Sequence, residues 1–82
     1  MLEKIISVIS EQLSVEPDSI TIDSDITDDL GADSLDIIEL TDRLEKMFGI
    51  TATDDEIMSV ETVGDLEEIL TRKISGIHDE KY

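Results

Sequence analysis

The sequence predicts an all-α fold: a small four-helix bundle, three main helices and one short one, with a long ordered loop between the first and second. Two observations carry this expectation. Apolar residues recur at helical spacing in three separate stretches, and Pro17, Gly49 and Gly76 stand where those stretches should stop. With no cysteine and 2% aromatic content in 82 residues, the core must be aliphatic and unstapled, which is close to the lower size limit for a single domain.

The first helix rests on Leu2, Ile5, Ile6, Ile9 and Leu13, with Glu3, Lys4, Ser10 and Glu11 around the other side, and it closes before Pro17. From Val15 to Asp33 neither periodicity holds for long. Apolar anchors at Val15, Ile20, Ile22, Ile26 and Leu30 predict a loop packed across the helices.

The second helix starts at Asp33 or Ser34 and ends at Phe48 before Gly49. Wound at about 100° per residue, it places Ile37, Leu40, Thr41, Leu44, Met47 and Phe48 on a core face. Leu35, Ile38, Glu39, Asp42 and Lys46 fall on the opposite side. Two large aliphatics on an outward face, beside carboxylates, suit the apolar centre of a partner-docking surface.

A short third helix spans Asp54 to Met58. Thr62 with Asp65 three residues on resembles a capping arrangement for the fourth, which carries Val63, Leu66, Ile69, Leu70 and Ile74 and ends at Gly76. The expected division is a single small domain over 1–76 and a disordered tail over 77–82.

Composition narrows the function. Six Lys and Arg against 22 Asp and Glu give a formal charge of −16. Such a field repels nucleic acid and anionic membranes and steers the chain toward basic protein surfaces. No apolar stretch is continuous enough to insert in a membrane or act as a secretory signal. With no cysteine, this fits a cytoplasmic protein, expected to be a monomer. The acidic run Asp23, Asp25, Asp28, Asp29 fails as a calcium loop: counted from Asp23, the sixth position is Asp28 rather than Gly and the twelfth is Ser34 rather than Glu. His78 has no second His or Cys with which to hold a metal.

Leu30-Gly31-Ala32-Asp33-Ser34-Leu35-Asp36 is the informative segment. A serine nucleophile needs a base and an oxyanion site, and neither is in evidence, so no catalytic residue is expected. Serine at a helix start is often simply an N-cap. If Asp33 caps instead, Ser34 takes the first helical position with its hydroxyl outward. A phosphate there would meet the free N–H groups and positive end of the helix.

The segment resembles the modification site of acyl carrier proteins. The likeness extends through Ile20-Thr21, Ile26-Thr27-Asp28-Asp29, Glu39-Leu40, Leu44-Glu45, Phe48, Asp54-Asp55-Glu56 and Thr62-Val63-Gly64-Asp65-Leu66. The resemblance implies a 4′-phosphopantetheine arm, derived from coenzyme A, on Ser34, with acyl groups held as thioesters for fatty-acid synthesis. It further implies that Asp33 and Asp36 flank the site and assist the transferase and its magnesium. Leu35, Ile38, Glu39, Asp42 and Glu45 would meet partners, and an acyl cavity would lie past Leu44, Ala52, Ile57 and Leu66. The implied partners are a holo-acyl-carrier synthase and acyl transferases, ketosynthases, reductases and dehydratases with basic docking patches. Asp42, Arg43, Lys46, Ala52 and Thr53 depart from the usual fatty-acid pattern. They leave open a specialised carrier of polyketide, amino-acid or D-alanine cargo. An acidic helical interaction module without a prosthetic group is the alternative of another class.

Overall fold

In the computed structural model, which describes the backbone of residues 1–79 and the side chains of residues 1–75, helices α1 (Leu2–Leu13), α2 (Ser34–Phe48), α3 (Asp54–Met58) and α4 (Val63–Asp79) follow the order expected. Helix α1 ends where Ser14 turns into the left-handed region at φ 57°, its N–H returning to the Ser10 carbonyl. A 3-10 turn over Pro17–Ser19 follows, its start suited to the fixed φ of proline.

The aliphatic core draws on α1, α2, α4 and the connecting segments. Ile5, Val8 and Ile9 of α1 join Leu40 and Leu44 of α2 and Val63, Leu66, Ile69 and Leu70 of α4, with Ile20, Ile26, Leu30 and Ala32 contributed by the loop. Val8 is a core residue outside the expected α1 stripe.

The α1–α2 loop is ordered because its backbone is paired. Asp25 and Thr62 form an isolated antiparallel bridge. Ile26 N–H donates to the Glu61 carbonyl at 2.9 Å, Val63 N–H to Ser24 at 3.0 Å, and Gly64 N–H to Ile22 at 2.8 Å. The loop's acidic residues serve its turns. Asp25 Oδ1 accepts the N–H groups of Thr27 and Asp28 at 3.0 and 2.8 Å, and Asp29 Oδ2 accepts Asp25 N–H at 2.7 Å. Gly31, at φ 78°, makes the left-handed turn that delivers the chain to α2.

Three expectations need correction. Ile22 is exposed rather than a core anchor; the loop is pinned there by its backbone carbonyl, which leaves the side chain at the surface. Met47 is 51% exposed despite its place on the core face of α2. Helical angle fixes the direction of a side chain and not what covers it, and Met47 borders a surface groove with Lys4 and Arg43. Gly76 does not end α4, whose backbone stays helical to Asp79. A glycine stops a helix by turning left-handed, and inside one it costs only about 1 kcal/mol. Residues 80–82 of the expected tail, and the side chain of His78, lie outside the described residues.

At Gly64 the close approach of loop and helix is measurable. A Cβ added there would stand 2.9 Å from Ile22 Cγ1 and 3.1 Å from the Ile22 carbonyl oxygen. Gly64→Ala is therefore expected to lower unfolding stability by about 1–3 kcal/mol, the usual cost of overpacking. Thermal denaturation of the two proteins checks this; an unchanged or raised melting temperature contradicts the packing described.

Candidate functional site

The site is built at the head of α2. Asp33 caps the helix in extended conformation, with its Oδ1 accepting Asp36 N–H at 2.9 Å and Asp36 Oδ2 accepting Asp33 N–H at 3.1 Å. This reciprocal box satisfies two N–H groups that a helix start leaves open. It places Ser34 at the first helical position, exposed, with its hydroxyl free of a capping role. Gln12 Nε2 of α1 donates to the Asp36 carbonyl at 3.1 Å, holding the first turn of α2 against α1.

The docking residues expected on the outward face divide into two kinds. Leu35 and Ile38 are 62% and 54% exposed, as their angle requires, and Glu39 is exposed beside them. Asp42 is exposed but paired with Lys46 at 3.0 Å one turn on. Glu45 is half-buried, and its Oε2 accepts Ala52 N–H at 2.6 Å. Its carboxylate thus tethers the segment that leads into α3. Arg43 turns away from this face to Glu11 of α1 at 2.9 Å.

A cleft of about 330 Å³ opens beside the serine, lined by Ser34, Ile37, Ile38, Ile57, Met58 and Val60. Of the four cavity residues expected, only Ile57 lines it. Leu44 and Leu66 are buried in the core, and half-buried Ala52 packs against that core. Sequence reasoning missed Ile37, Ile38, Met58 and Val60 as lining, having assigned Ile38 to the partner face alone. Ile37 reads as core by angle, and half-burial is what lets it serve both surfaces.

Helix α3 forms the far wall and has no buried residue, so polar contacts fix it. Thr53 Oγ1 accepts Glu56 N–H at 3.2 Å and Glu56 Oε1 accepts Thr53 N–H at 2.8 Å. The same Glu56 oxygen meets Lys73 Nζ of α4 at 2.9 Å. At the start of α4, Asp65 Oδ2 accepts the N–H groups of Thr62 and Glu61 at 3.1 and 3.0 Å, and these two bonds lower its pKa.

The hydrogen bond from the Thr53 backbone, followed by that from Lys73, holds the Glu56 carboxyl at about 2, well below its ordinary 4.5. A depressed carboxylate pKa means the folded state prefers the charged form. Its stabilisation is complete above about pH 4.5 and is lost as pH falls toward about 2. The melting-temperature advantage of the parent protein over Glu56→Gln should thus be constant at neutral pH and shrink through that acid range. An advantage independent of pH contradicts the tether.

Residues 3–70 match the phosphopantetheine attachment site family. The acyl carrier protein of Petrotoga mobilis is 40% identical over 80 residues, covering 98% of this chain and 93% of that one. The crystal structure of the Thermotoga maritima acyl carrier protein superposes with a TM-score of 0.80 at 28% identity, covering 90% and 86% of the two chains. The acyl carrier protein of Enterococcus faecalis gives 0.76 at 33% identity, over 88% and 91%.

Proposed function

The chain belongs to the acyl carrier protein family, whose prosthetic group is phosphopantetheine, and on that premise we propose that Ser34 is the attachment point and that the cargo is fatty acyl. The observation that carries the reading is the division of labour at the head of α2: Asp33 is the cap, so Ser34 has no structural task there. An exposed hydroxyl at the first helical position suits a phosphodiester, because the N–H groups ahead of the first turn and the positive helix end favour an anion. This fit, with family membership, favours attachment over the alternative in which Ser34 merely caps a helix.

The prosthetic group supplies a terminal thiol that holds acyl groups as thioesters. The chain's own residues present, steer and shelter. Asp33 and Asp36 flank the serine with carboxylates that also hold the helix start, and they would attract the transferase's magnesium. Leu35 and Ile38 form the apolar centre of contact with successive enzymes, and Glu39 is the exposed carboxylate nearest them in sequence. Asp42 and Glu45 would act in docking only when a partner's cation competes with Lys46 or with Ala52 N–H. The net charge of −16 directs the chain toward basic patches on the synthase, transferases, ketosynthases, reductases and dehydratases of fatty-acid synthesis. Among the described residues no helix is long and apolar enough to cross a membrane, and a cytoplasmic site of action is part of this reading.

Two measurements test it. Incubation with a broad phosphopantetheinyl transferase and coenzyme A should add one adduct by intact mass, and Ser34→Ala should receive none; an adduct on the variant overturns the assignment. Ile38→Ala in the loaded protein should slow partner turnover about tenfold, as loss of an interface anchor does. Its stability should move by less than about 1 kcal/mol, because the side chain is 54% exposed. A fall in melting temperature typical of a core truncation would contradict the outward placement.

A further inference from the structure

We propose that Met58 is a specificity-determining residue, the side chain that closes over an acyl cargo in the cleft beside Ser34 and sets how much of the chain is sheltered. The proposal rests on the reading of Ser34 as the attachment point.

Apart from the serine, the cleft is lined entirely by apolar residues: Ile37, Ile38, Ile57, Met58 and Val60. An acyl chain carried on an arm from Ser34, itself at the edge of this surface, can fold back onto it intramolecularly, at the effective concentration the tether sets. Leu40, Leu44, Val63 and Leu66 are 2% exposed or less and none lines the cleft. The cleft therefore meets the core through Val60, which is buried, while those four side chains stay closed behind it and the open space lies toward its mouth.

Met58 is at once a lining residue and 82% exposed, more so than any other large apolar side chain among the described residues. It must stand at the mouth. The other apolar lining residues are β-branched and stiff at χ1, whereas methionine is unbranched, has three rotatable bonds and carries a polarisable sulfur. Met58 alone has the reach to fold onto a chain of variable length. Its backbone is held meanwhile, since Glu56 two residues earlier is bonded to Thr53 and Lys73. Movement at the mouth then needs only a side-chain rotation.

The test uses hexanoyl, octanoyl and dodecanoyl forms of the full chain and of Met58→Ser and Met58→Leu. Intact mass first establishes a single adduct on each. The readouts are the rate of thioester cleavage by hydroxylamine and the melting temperature of each acyl form relative to its holo form. In the parent protein, protection should rise from hexanoyl to octanoyl, by roughly fourfold at most for each methylene withdrawn from water, and level off by dodecanoyl. Met58→Ser should leave the holo melting temperature unchanged, since the residue is exposed. It should cut octanoyl protection about fivefold, equivalent to one or two methylenes returned to solvent. Met58→Leu should keep most of the protection. Parent-like protection in Met58→Ser, or protection still climbing at dodecanoyl, overturns the proposal while leaving attachment intact. Failure to form the adduct at Ser34 strikes the underlying reading instead, and the role of Met58 falls with it.

Discussion

The hydrogen-bonded exchange between Asp33 and Asp36 is the constraint on which the rest of the site depends. It decides which residue begins α2, and a helix displaced by one residue rotates every side chain by about 100°. With Asp33 as cap, Ser34 is presented outward, Leu35 and Ile38 lie at the surface, and Leu40 and Leu44 enter the core. Gly31 makes the turn that brings the acidic loop to this point, and Gln12 of α1 holds the first turn from behind. One capping box thus links the proposed attachment point, the proposed partner face and the packing.

The molecule also separates what must be rigid from what is held lightly. Helices α1, α2 and α4 share an aliphatic core, and the long loop is bonded to the head of α4 through the backbone of Ile22, Ser24 and Ile26. Helix α3 has no fully buried residue and is fixed by Glu45 through Ala52 N–H and by Glu56 through Lys73. Each such contact is modest beside a fully buried aliphatic side chain, whose burial stabilises by about 1.5–3 kcal/mol. The wall of the cleft beside Ser34 is accordingly the part that polar competition or acid most readily loosens, and regions with few buried apolar contacts are those that open at low cost.

Much of this was legible in the residues themselves. Helical spacing located the three main helices, acidic residues suited to a helix start pointed to the short one, and the Leu-Gly-Ala-Asp-Ser-Leu-Asp segment drew attention to the serine. The outward position of Leu35 and Ile38 follows from angle alone. What escaped depends on neighbours distant in sequence. Glu45 reads as a rim charge until Ala52 N–H is seen to claim it, and Arg43 reads as a break in an acidic face until Glu11 is found opposite. Met47 lies at the angle expected of a core residue but lacks cover, Ile22 is pinned by its backbone with its side chain at the surface, and Gly76 has the composition of a stop without ending the helix. Most of the cleft's lining escaped for the same reason: apart from Ile57 it comes from α2, from Met58 and from Val60, residues that local periodicity assigns separately.

Everything proposed for this chain requires Ser34 to be the residue at which it acquires its chemistry. The most direct measurement is fragmentation mass spectrometry of the protein recovered from its native cells, mapping any covalent group to a single residue and weighing whatever the group carries. A phosphopantetheine adduct on Ser34, part of it bearing fatty acyl thioesters, is the predicted result. A chain that is unmodified in active cells, or modified at another residue, would contradict it.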